Sequence, residues 1–465
     1  MEILAFDLGA SNGRVILGTY DGNILRLNEI HRFLNEPVFV HGRTYWDVLR
    51  LFHEIKVGLT ICSSMGHKDI ASIGISTWGV DYGLLDKDGI LISNPFHYRD
   101  SRTQGMFEKL EGRMSREKMF FETGIQPMEI NTVYQLASQL PPSSANKLLF
   151  MPDLIGYFLT GKKCCEKTIL STSQLFDVSN NKLSETVLNK IGINENLFCP
   201  IIESGTVLGT LTQEISSETG IKPTPVVSVT GHDTASAVIA VPFDSTKKSL
   251  FISCGTWSIL GAELKKPLIT KAAFKAGFSN ELGFNGTTRF LKNTVGLWVV
   301  QQCRKKWMNE GQHVSYATLS RETAAAQISS YINPNDPSFF APPDMPKAIK
   351  EYCKKSGQTV PRSRGEHLIC ALQGLAMEYR REVDLIEDVL RCSIDVLHIV
   401  GGGVKNGILC QLTANETVKK VIAGPVEASI AGNMIVQLIA IGEISDIKHG
   451  RKVIKDSFEF KTYLP

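Results

Sequence analysis

Long apolar runs are missing from this chain. No stretch of its 465 residues approaches the ~18 consecutive apolar residues that a membrane helix needs, so no membrane span is expected. A strong charge of either sign is missing too. Lys and Arg number 50 against 47 Asp and Glu, for a formal charge of +3, which leaves no electrostatic footprint for nucleic acid or a membrane surface. Paired cysteine motifs are also absent. The 10 cysteines form no C-x-x-C pair, which argues against a structural zinc site, and their scatter suits buried thiols in a reducing cytoplasm. Met1 to Asp7 lacks a cationic lead, so no secretory signal is read there. What remains is the composition of an ordinary globular protein, 43% hydrophobic and 21% charged. Its length calls for two or three domains rather than one core.

The middle of the chain holds its most informative stretch, Gly231-His232-Asp233-Thr234-Ala235-Ser236-Ala237-Val238. Pro225 to Thr230 is apolar and β-branched and reads as a buried strand. Thr234 to Ala240 is small and apolar, with Thr234 able to cap a helix. Asp233 thus falls where a strand ends and a helix begins, and open α/β sheets bind ligands beyond the carboxyl ends of their strands. An ionised carboxylate there can take a proton from a hydroxyl. As far as the stretch alone goes, it can equally be a helix cap.

Two glycine-tipped hairpins flank this centre in sequence. Residues 2–7 read as a strand, Gly9-Ala10-Ser11-Asn12-Gly13 as a turn, and Arg14 to Tyr20 as a second strand. Such a tip can converge backbone N–H groups into a nest for phosphate oxygens, with Arg14 adding a cation. Asp7 at the strand end can hold magnesium, directly or through water. A plain tight hairpin is the alternative. The same five residues match the G-x-S-x-G nucleophile elbow, but that elbow must join a strand to a helix. Ser249 to Gly261 repeats the strand–turn–strand pattern half a chain later, around Cys254-Gly255-Thr256-Trp257. This suggests two related α/β halves, divided near Phe243 to Lys248 into residues 1–243 and 244–465.

Other stretches give local expectations. Ile70 to Ser76 reads as a strand. Thr77 to Asp81 and Pro95 to Arg102 can line a hydroxyl-rich pocket, though each taken singly reads first as an ordinary surface turn. Residues 104–120 and 128–161 read as helical. Gly156, Gly161 and Lys162 nearly spell a P-loop but read as a helix end with Gly161 as its C-cap. Residues 177–222 read as an irregular peripheral insertion. Leu297, Val300, Cys303 and Trp307 fit one buried helical face, with Asn293 near the helix start and Gln301 two turns on. Val396 to Val400 reads as a strand leading to Gly401-Gly402-Gly403, where backbone can approach a flat ligand such as adenine. Asn406 in place of the third glycine argues against a dinucleotide fingerprint. Ser429 to Ile441 closes the pattern as a helix.

Taken in order, Asp7-Leu8-Gly9-Ala10-Ser11-Asn12-Gly13-Arg14, Trp78 to Asp81, Tyr98 to Arg102, Asn131 to Leu136, Gly231 to Ala237, Ser253 to Ser258, Gly296 to Trp298 and Val421 to Ala428 resemble the FGGY carbohydrate kinases. The resemblance runs over nearly the whole chain. Residues 131–136, 231–237 and 421–428 narrow it to the members that act on L-rhamnulose. It implies an α/β fold of two ribonuclease-H-like (actin-like ATPase) domains around a central cleft. It also implies transfer of the γ-phosphoryl group of ATP, with Mg2+, to O1 of L-rhamnulose in L-rhamnose catabolism. By the same resemblance Asp233 is the general base and also touches the sugar. Ala10, Ser11, Asn12, Gly13, Arg14 and Thr256 hold phosphates, and Gln301 and Gly402 lie at the nucleotide. Gly79, His232, Thr234 and Asn293 match sugar-contacting positions. Asn12 and Cys254 stand where the family often has Ser, and neither change removes a backbone N–H.

Beside the resemblance stands the expectation of a cytoplasmic monomer whose partners are a ketose and ATP, not nucleic acid or membrane. The resemblance places cysteines at both ends of the polar stretch between Cys353 and Cys370, where a reversible disulfide is one state and free thiols the default. Three other readings stay open. One is an FGGY kinase for another ketose or polyol such as L-fuculose or L-xylulose. Another is a serine hydrolase, and the last is a non-catalytic actin-like nucleotide-binding protein. Asp233 argues against the last, because a pure binder needs no base.

Overall fold

The computed structural model describes residues 1–244 and 246–465. Ser245, inside the expected boundary Phe243 to Lys248, lies outside the described residues. The chain divides into two compact units. The first holds Met1–Pro242, Glu263–Phe290 and Ala428–Ser457, and the second holds Phe243–Ala262, Leu291–Glu427 and Phe458–Pro465. The leading segment of the first unit ends at Pro242. Two later segments nevertheless return to that unit, so the cut into residues 1–243 and 244–465 is not clean.

The first unit is built on a six-stranded sheet. Its strands are β1 (Glu2–Leu8), β2 (Asn12–Tyr20), β3 (Leu25–Leu34), β4 (Ile73–Thr77), β5 (Thr206–Thr210) and β6 (Pro225–Ser228), in the order β5-β6-β4-β1-β2-β3. β1, β4 and β6 are parallel neighbours, while β2, β3 and β5 run antiparallel to theirs. β1 is central and apolar on both faces, with Ile3, Leu4, Ala5, Phe6 and Leu8 all buried, as a strand covered on two sides requires.

The returning helix Ala428–Ala440 covers this sheet. Gln437 Nε2 donates to Leu4 O at 3.0 Å, Ser72 Oγ donates to Gln437 Oε1 at 2.8 Å, and Asn433 Nδ2 donates to Ser76 Oγ at 3.3 Å. Glycines allow that approach. A Cβ on Gly74 would stand 2.5 Å from Asn433 Oδ1, and one on Gly432 would stand 1.7 Å from Ser236 O.

The second unit repeats the plan. Six strands of its seven-stranded sheet are β7 (Ser249–Cys254), β8 (Trp257–Leu264), β9 (Thr288–Val295), β10 (Val396–Val400), β11 (Lys420–Ala423) and β12 (Lys461–Tyr463), ordered β9-β8-β7-β10-β11-β12, with Ser279–Leu282 beyond β9 at the edge. β7 and β8 form an antiparallel hairpin, and β7, β10 and β11 are parallel neighbours. The order of three leading strands followed by two crossovers matches the first sheet, so the faint self-similarity of the two hairpins reflects two sheets of one plan. β9 straddles the division, with Thr288–Phe290 counted in the first unit and Leu291–Val295 in the second.

Several local expectations need correction. Residues 128–161 are not one helix but Thr132–Ser138, the short strand Lys147–Phe150 and Met151–Thr160. Pro141 and Pro142 lie in the break, and proline cannot continue a helix. Gly161 does cap Met151–Thr160 in the left-handed conformation, at φ 74°. Residues 177–222 are not simply peripheral, because β5 pairs with β6 at the sheet edge. Its alternation is masked by Gly209 at a register shift. Cys353 and Cys370 do not bracket a 16-residue loop, since the helices Met345–Lys355 and Arg364–Leu390 take half of it. Both thiols are buried and free.

Candidate functional site

The C-terminal ends of β1, β4 and β6 converge on the central motif. Asp7 lies opposite Ser76, and Leu8 opposite Thr77. Thr77 N donates to Gly231 O at 2.8 Å and bridges to His232. Helix α1 (Lys167–Ser171) and helix α2 (Asp233–Ile239) start beside them. Asp233 is therefore at the strand-to-helix turn that the sequence marks, but it is not the cap. His232 holds the cap position of α2 and makes no side-chain capping bond. Asp233 turns its carboxylate outward, with 30% of its side chain exposed. Oδ1 takes Thr234 N at 2.6 Å and Thr234 Oγ1 at 3.2 Å.

Glu166 fixes this turn from below. Its carboxylate is buried and caps α1 through Thr168 N at 2.9 Å and Ile169 N at 3.0 Å. It also receives Thr168 Oγ1 at 2.6 Å, Ser204 Oγ at 2.5 Å and Gly231 N at 3.1 Å. A Cβ on Gly231 would press on Pro152 at 2.9 Å, so this position is glycine for packing.

An aromatic wall stands on the adjacent turn. Trp46 packs on Trp78 with centroids 4.1 Å apart and on His97 at 4.2 Å, and His97 stacks on Tyr98 at 4.5 Å. Buried Asp81 ties it together, accepting Trp46 Nε1 at 2.5 Å, Trp78 Nε1 at 2.9 Å, Gln135 Nε2 at 2.9 Å and Tyr98 N at 3.2 Å. Burial pushes the Asp81 carboxyl up to about 6 even against these donors. Burial also raises the Tyr98 phenol, and the Asp81 and Asp233 carboxylates push the same way. Gly79 sits in this turn, where a Cβ would meet Thr172 Oγ1 at 3.2 Å. Pro95, Phe96 and Arg102 line a separate cavity of about 160 Å³ with Tyr82 and Gln139. Residues 77–81 do not reach it.

The first hairpin is as expected, with a different use of its charges. Gly9 N donates to Asn12 O at 2.9 Å, and Asn35 braces the tip by donating Nδ2 to Gly9 O at 2.8 Å. Ser11 is exposed and Ala10 half-buried. Arg14 Nη2 donates to Asp7 Oδ2 at 2.6 Å, so the cation expected for phosphate is paired with the carboxylate expected for magnesium. Gly13 is not at the tip but in β2, where a Cβ would strike the Phe33 ring at 2.3 Å. The strand that follows removes the nucleophile-elbow reading, because no helix begins at Gly13. Among the described residues no group of three His, Cys, Asp or Glu side chains could hold a metal.

In the second unit, the tip Gly255–Thr256 meets helix α3 (Trp298–Asn309). Thr256 Oγ1 donates to Gln301 Oε1 at 3.0 Å, Leu297 N donates to Gly255 O at 2.9 Å, and Gly296 N donates to Thr256 O at 3.1 Å. A Cβ on Gly296 would strike Gly255 O at 2.6 Å. Gln301 thus lies in the first turn of α3 rather than two turns on, and Asn293 lies within β9 rather than at the helix start. Val299, Val300, Cys303 and Trp307 are the buried face, while Leu297 is half-buried at the cap. Gly401, at φ 82°, turns β10 past the end of β7, and a Cβ on Gly402 would lie 3.9 Å from Cys254 O. Thr256, Gln301 and Gly402 therefore gather around the end of β7.

The first unit likewise gathers Asp7, Gly79, His232, Asp233 and Thr234, whereas Asn293 belongs to the second unit. Sequence reasoning missed Glu166, Glu281 and Arg289. A carboxylate two residues before a small hydroxyl was the only local sign of the first. The other two carry none.

Comparison with known proteins follows this geometry. The N-terminal domain model of the FGGY family of carbohydrate kinases matches residues 2–240, and the C-terminal domain model matches residues 250–441. A rhamnulokinase of Bacteroides thetaiotaomicron is 41% identical over 100% of this chain and 96% of its own length. One of Bacillus subtilis is 38% identical over 100% and 96%. One of Pectobacterium atrosepticum is 39% identical over 100% and 93%. Among solved structures, a ligand-bound xylulose kinase from Lactobacillus acidophilus superposes with a TM-score of 0.80 at 15% identity, covering 100% of this chain and 94% of that one. A Plasmodium falciparum glycerol kinase with ADP gives 0.79 at 14% identity, with coverage of 100% and 94%.

Proposed function

The chain belongs to the FGGY family of carbohydrate kinases, and from that premise we propose that it transfers the γ-phosphoryl group of ATP to O1 of L-rhamnulose in L-rhamnose catabolism. Its fold is the two-unit actin-like, ribonuclease-H-like kinase fold. Full-length identity of 37–41% with rhamnulokinases carries the choice of ketose. The chemistry rests on Asp233. Oδ1 is held by Thr234, while Oδ2 takes no hydrogen bond from the described residues.

Phosphoryl transfer asks for position and charge neutralisation more than covalent chemistry. Asp233 Oδ2 accepts the proton of the sugar O1 hydroxyl as that oxygen bonds the γ-phosphorus. The bond from phosphorus to the bridging oxygen of ATP breaks, and L-rhamnulose 1-phosphate and ADP result. Gly79, His232, Thr234 and Asn293 orient the sugar in this reading. Ala10, Ser11, Asn12, Gly13, Arg14 and Thr256 hold phosphates, and Gln301 and Gly402 face the nucleotide. Mg2+, when bound, neutralises phosphate charge. Asp7, whose Oδ2 pairs with Arg14, would be the protein carboxylate that holds it, directly or through water, since Mg2+ keeps water and needs only one or two carboxylates. The reading includes a monomer in the cytoplasm, a reducing compartment in which thiols stay unpaired. The test is ADP release with ATP and magnesium across a ketose panel. L-rhamnulose should give the highest kcat/KM. A higher value for L-fuculose or L-xylulose would move the assignment to that sugar.

A further inference from the structure

Beside Asp233 the first unit buries a charged pair that no motif announced. Arg289, whose side chain is 0% exposed, donates Nη2 to Glu281 Oε2 at 2.9 Å and Nε to Leu282 O at 3.1 Å. His232 Nδ1 stands 3.2 Å from Glu281 Oε2 and 3.4 Å from each terminal nitrogen of Arg289. On its other side, His232 Nε2 lies 3.4 Å from Asp233 Oδ1. The chain of contacts therefore runs Arg289, Glu281, His232, Asp233.

The two buried partners make opposite demands on the imidazole. A carboxylate only accepts, so Glu281 asks for a proton on Nδ1. A guanidinium only donates, so Arg289 asks for a bare Nδ1. Three observations decide between them. Glu281 is the nearer. Arg289 has already committed Nη2 to Glu281 and Nε to Leu282. Glu281 also stays ionised, for burial pushes its carboxyl up while Arg289 and His232 outweigh burial and hold it at about 2. Its charge makes the Nδ1–H bond charge-assisted, a match for the bond the Arg289 cation could offer, so the shorter contact to Glu281 and the committed donors of Arg289 tip the balance.

We propose that Glu281, clamped by Arg289, is a positioning residue that fixes the ring proton of His232 on Nδ1, so that Nε2 faces the ketose as a bare acceptor beside Asp233. This rests on the kinase reading of Asp233. A bare Nε2 cannot donate to Asp233, whose carboxylate keeps its capacity to take the O1 proton. Nε2 instead accepts from a second hydroxyl of the sugar, so the pair selects a substrate with two hydroxyl donors in reach.

The experiment uses the full chain labelled with 15N-histidine at pH 8, where an ordinary imidazole is neutral. Loss of one ring signal in His232→Asn assigns the residue. The expected spectrum shows Nδ1 protonated and Nε2 bare. In Glu281→Ala only Arg289 remains at Nδ1 while Asp233 Oδ1 stands at Nε2, so the proton should move to Nε2, and KM for L-rhamnulose should rise about tenfold with KM for ATP unchanged. A wild-type His232 protonated on Nε2, or on both nitrogens, would overturn the proposal. So would an unchanged ketose KM in a folded Glu281→Ala. Should that variant fail to fold, the wild-type spectrum decides alone. The spectrum needs no substrate, so failure of the kinase reading would show as absent turnover and leave the tautomer measurement intact.

Discussion

Asp233 and Thr234 divide one carboxylate between two tasks. Oδ1 is anchored by the Thr234 backbone and hydroxyl, and in the proposed reading Oδ2 is left for chemistry. Asp233→Asn keeps the anchor oxygen but cannot take a proton. It should lower kcat by about 100-fold to 10,000-fold with an unchanged melting temperature, and near-normal turnover would remove Asp233 as the base. Glu281 supports a pH prediction. Its carboxyl lies at about 2 in the folded chain against an ordinary 4.5. A group held below its unfolded value stabilises above that value, and the contribution is lost as pH falls from about 4.5 toward 2. The urea midpoint of the wild type should therefore drop more between about pH 5 and pH 3 than that of Glu281→Gln. Equal drops would show that Glu281 titrates alike in both states.

At the level of elements, the two hairpins look alike in sequence and differ in what their glycines do. Gly13 is packed, with the Phe33 ring in the place of any side chain, whereas the nearest atom to a Cβ on Gly255 is Trp257 O at 3.7 Å. Gly13→Val should therefore lose stability, by about 1–3 kcal/mol for an overpacked core, and is a poor probe of phosphate binding. Gly255→Val should fold normally and raise KM for ATP, because its side chain would enter the space above the tip backbone. Thermal melts separate the two effects. An unchanged ATP dependence in a stable Gly255→Val would take this tip out of the nucleotide site.

For the whole molecule, the decisive feature is that the first unit is not continuous in the chain. The helix Ala428–Ala440 covers β1, β4 and α2, and Gln437 and Asn433 satisfy polar groups of that sheet. A truncation after residue 243 would strip this cover. It would expose the apolar face of β1 and remove the partner of the Ser72 hydroxyl. The fragment should be insoluble or lack a cooperative melt, while the full chain unfolds cooperatively. A soluble fragment with a sharp thermal transition would show that residues 1–243 suffice.

The sequence by itself determined the features that depend on neighbours along the chain. β1 and its hairpin, the strand Val396–Val400, the C-cap at Gly161 and the turn carrying Asp233 were all legible, because strand period, turn chemistry and helix caps are local. So was the doubling of the plan, since each half announces its hairpin in the same order. The tertiary structure alone decided which distant residues answer those turns. Nothing near Glu166 points to Gly231, 65 positions away, and nothing near Glu281 and Arg289 points to His232. The return of Ala428–Ala440 to the first sheet was equally hidden, because an apolar helix states only that it must be covered. Which sheet covers it depends on shape, and here Gly74, Gly432 and the carbonyl of Leu4 provide that fit.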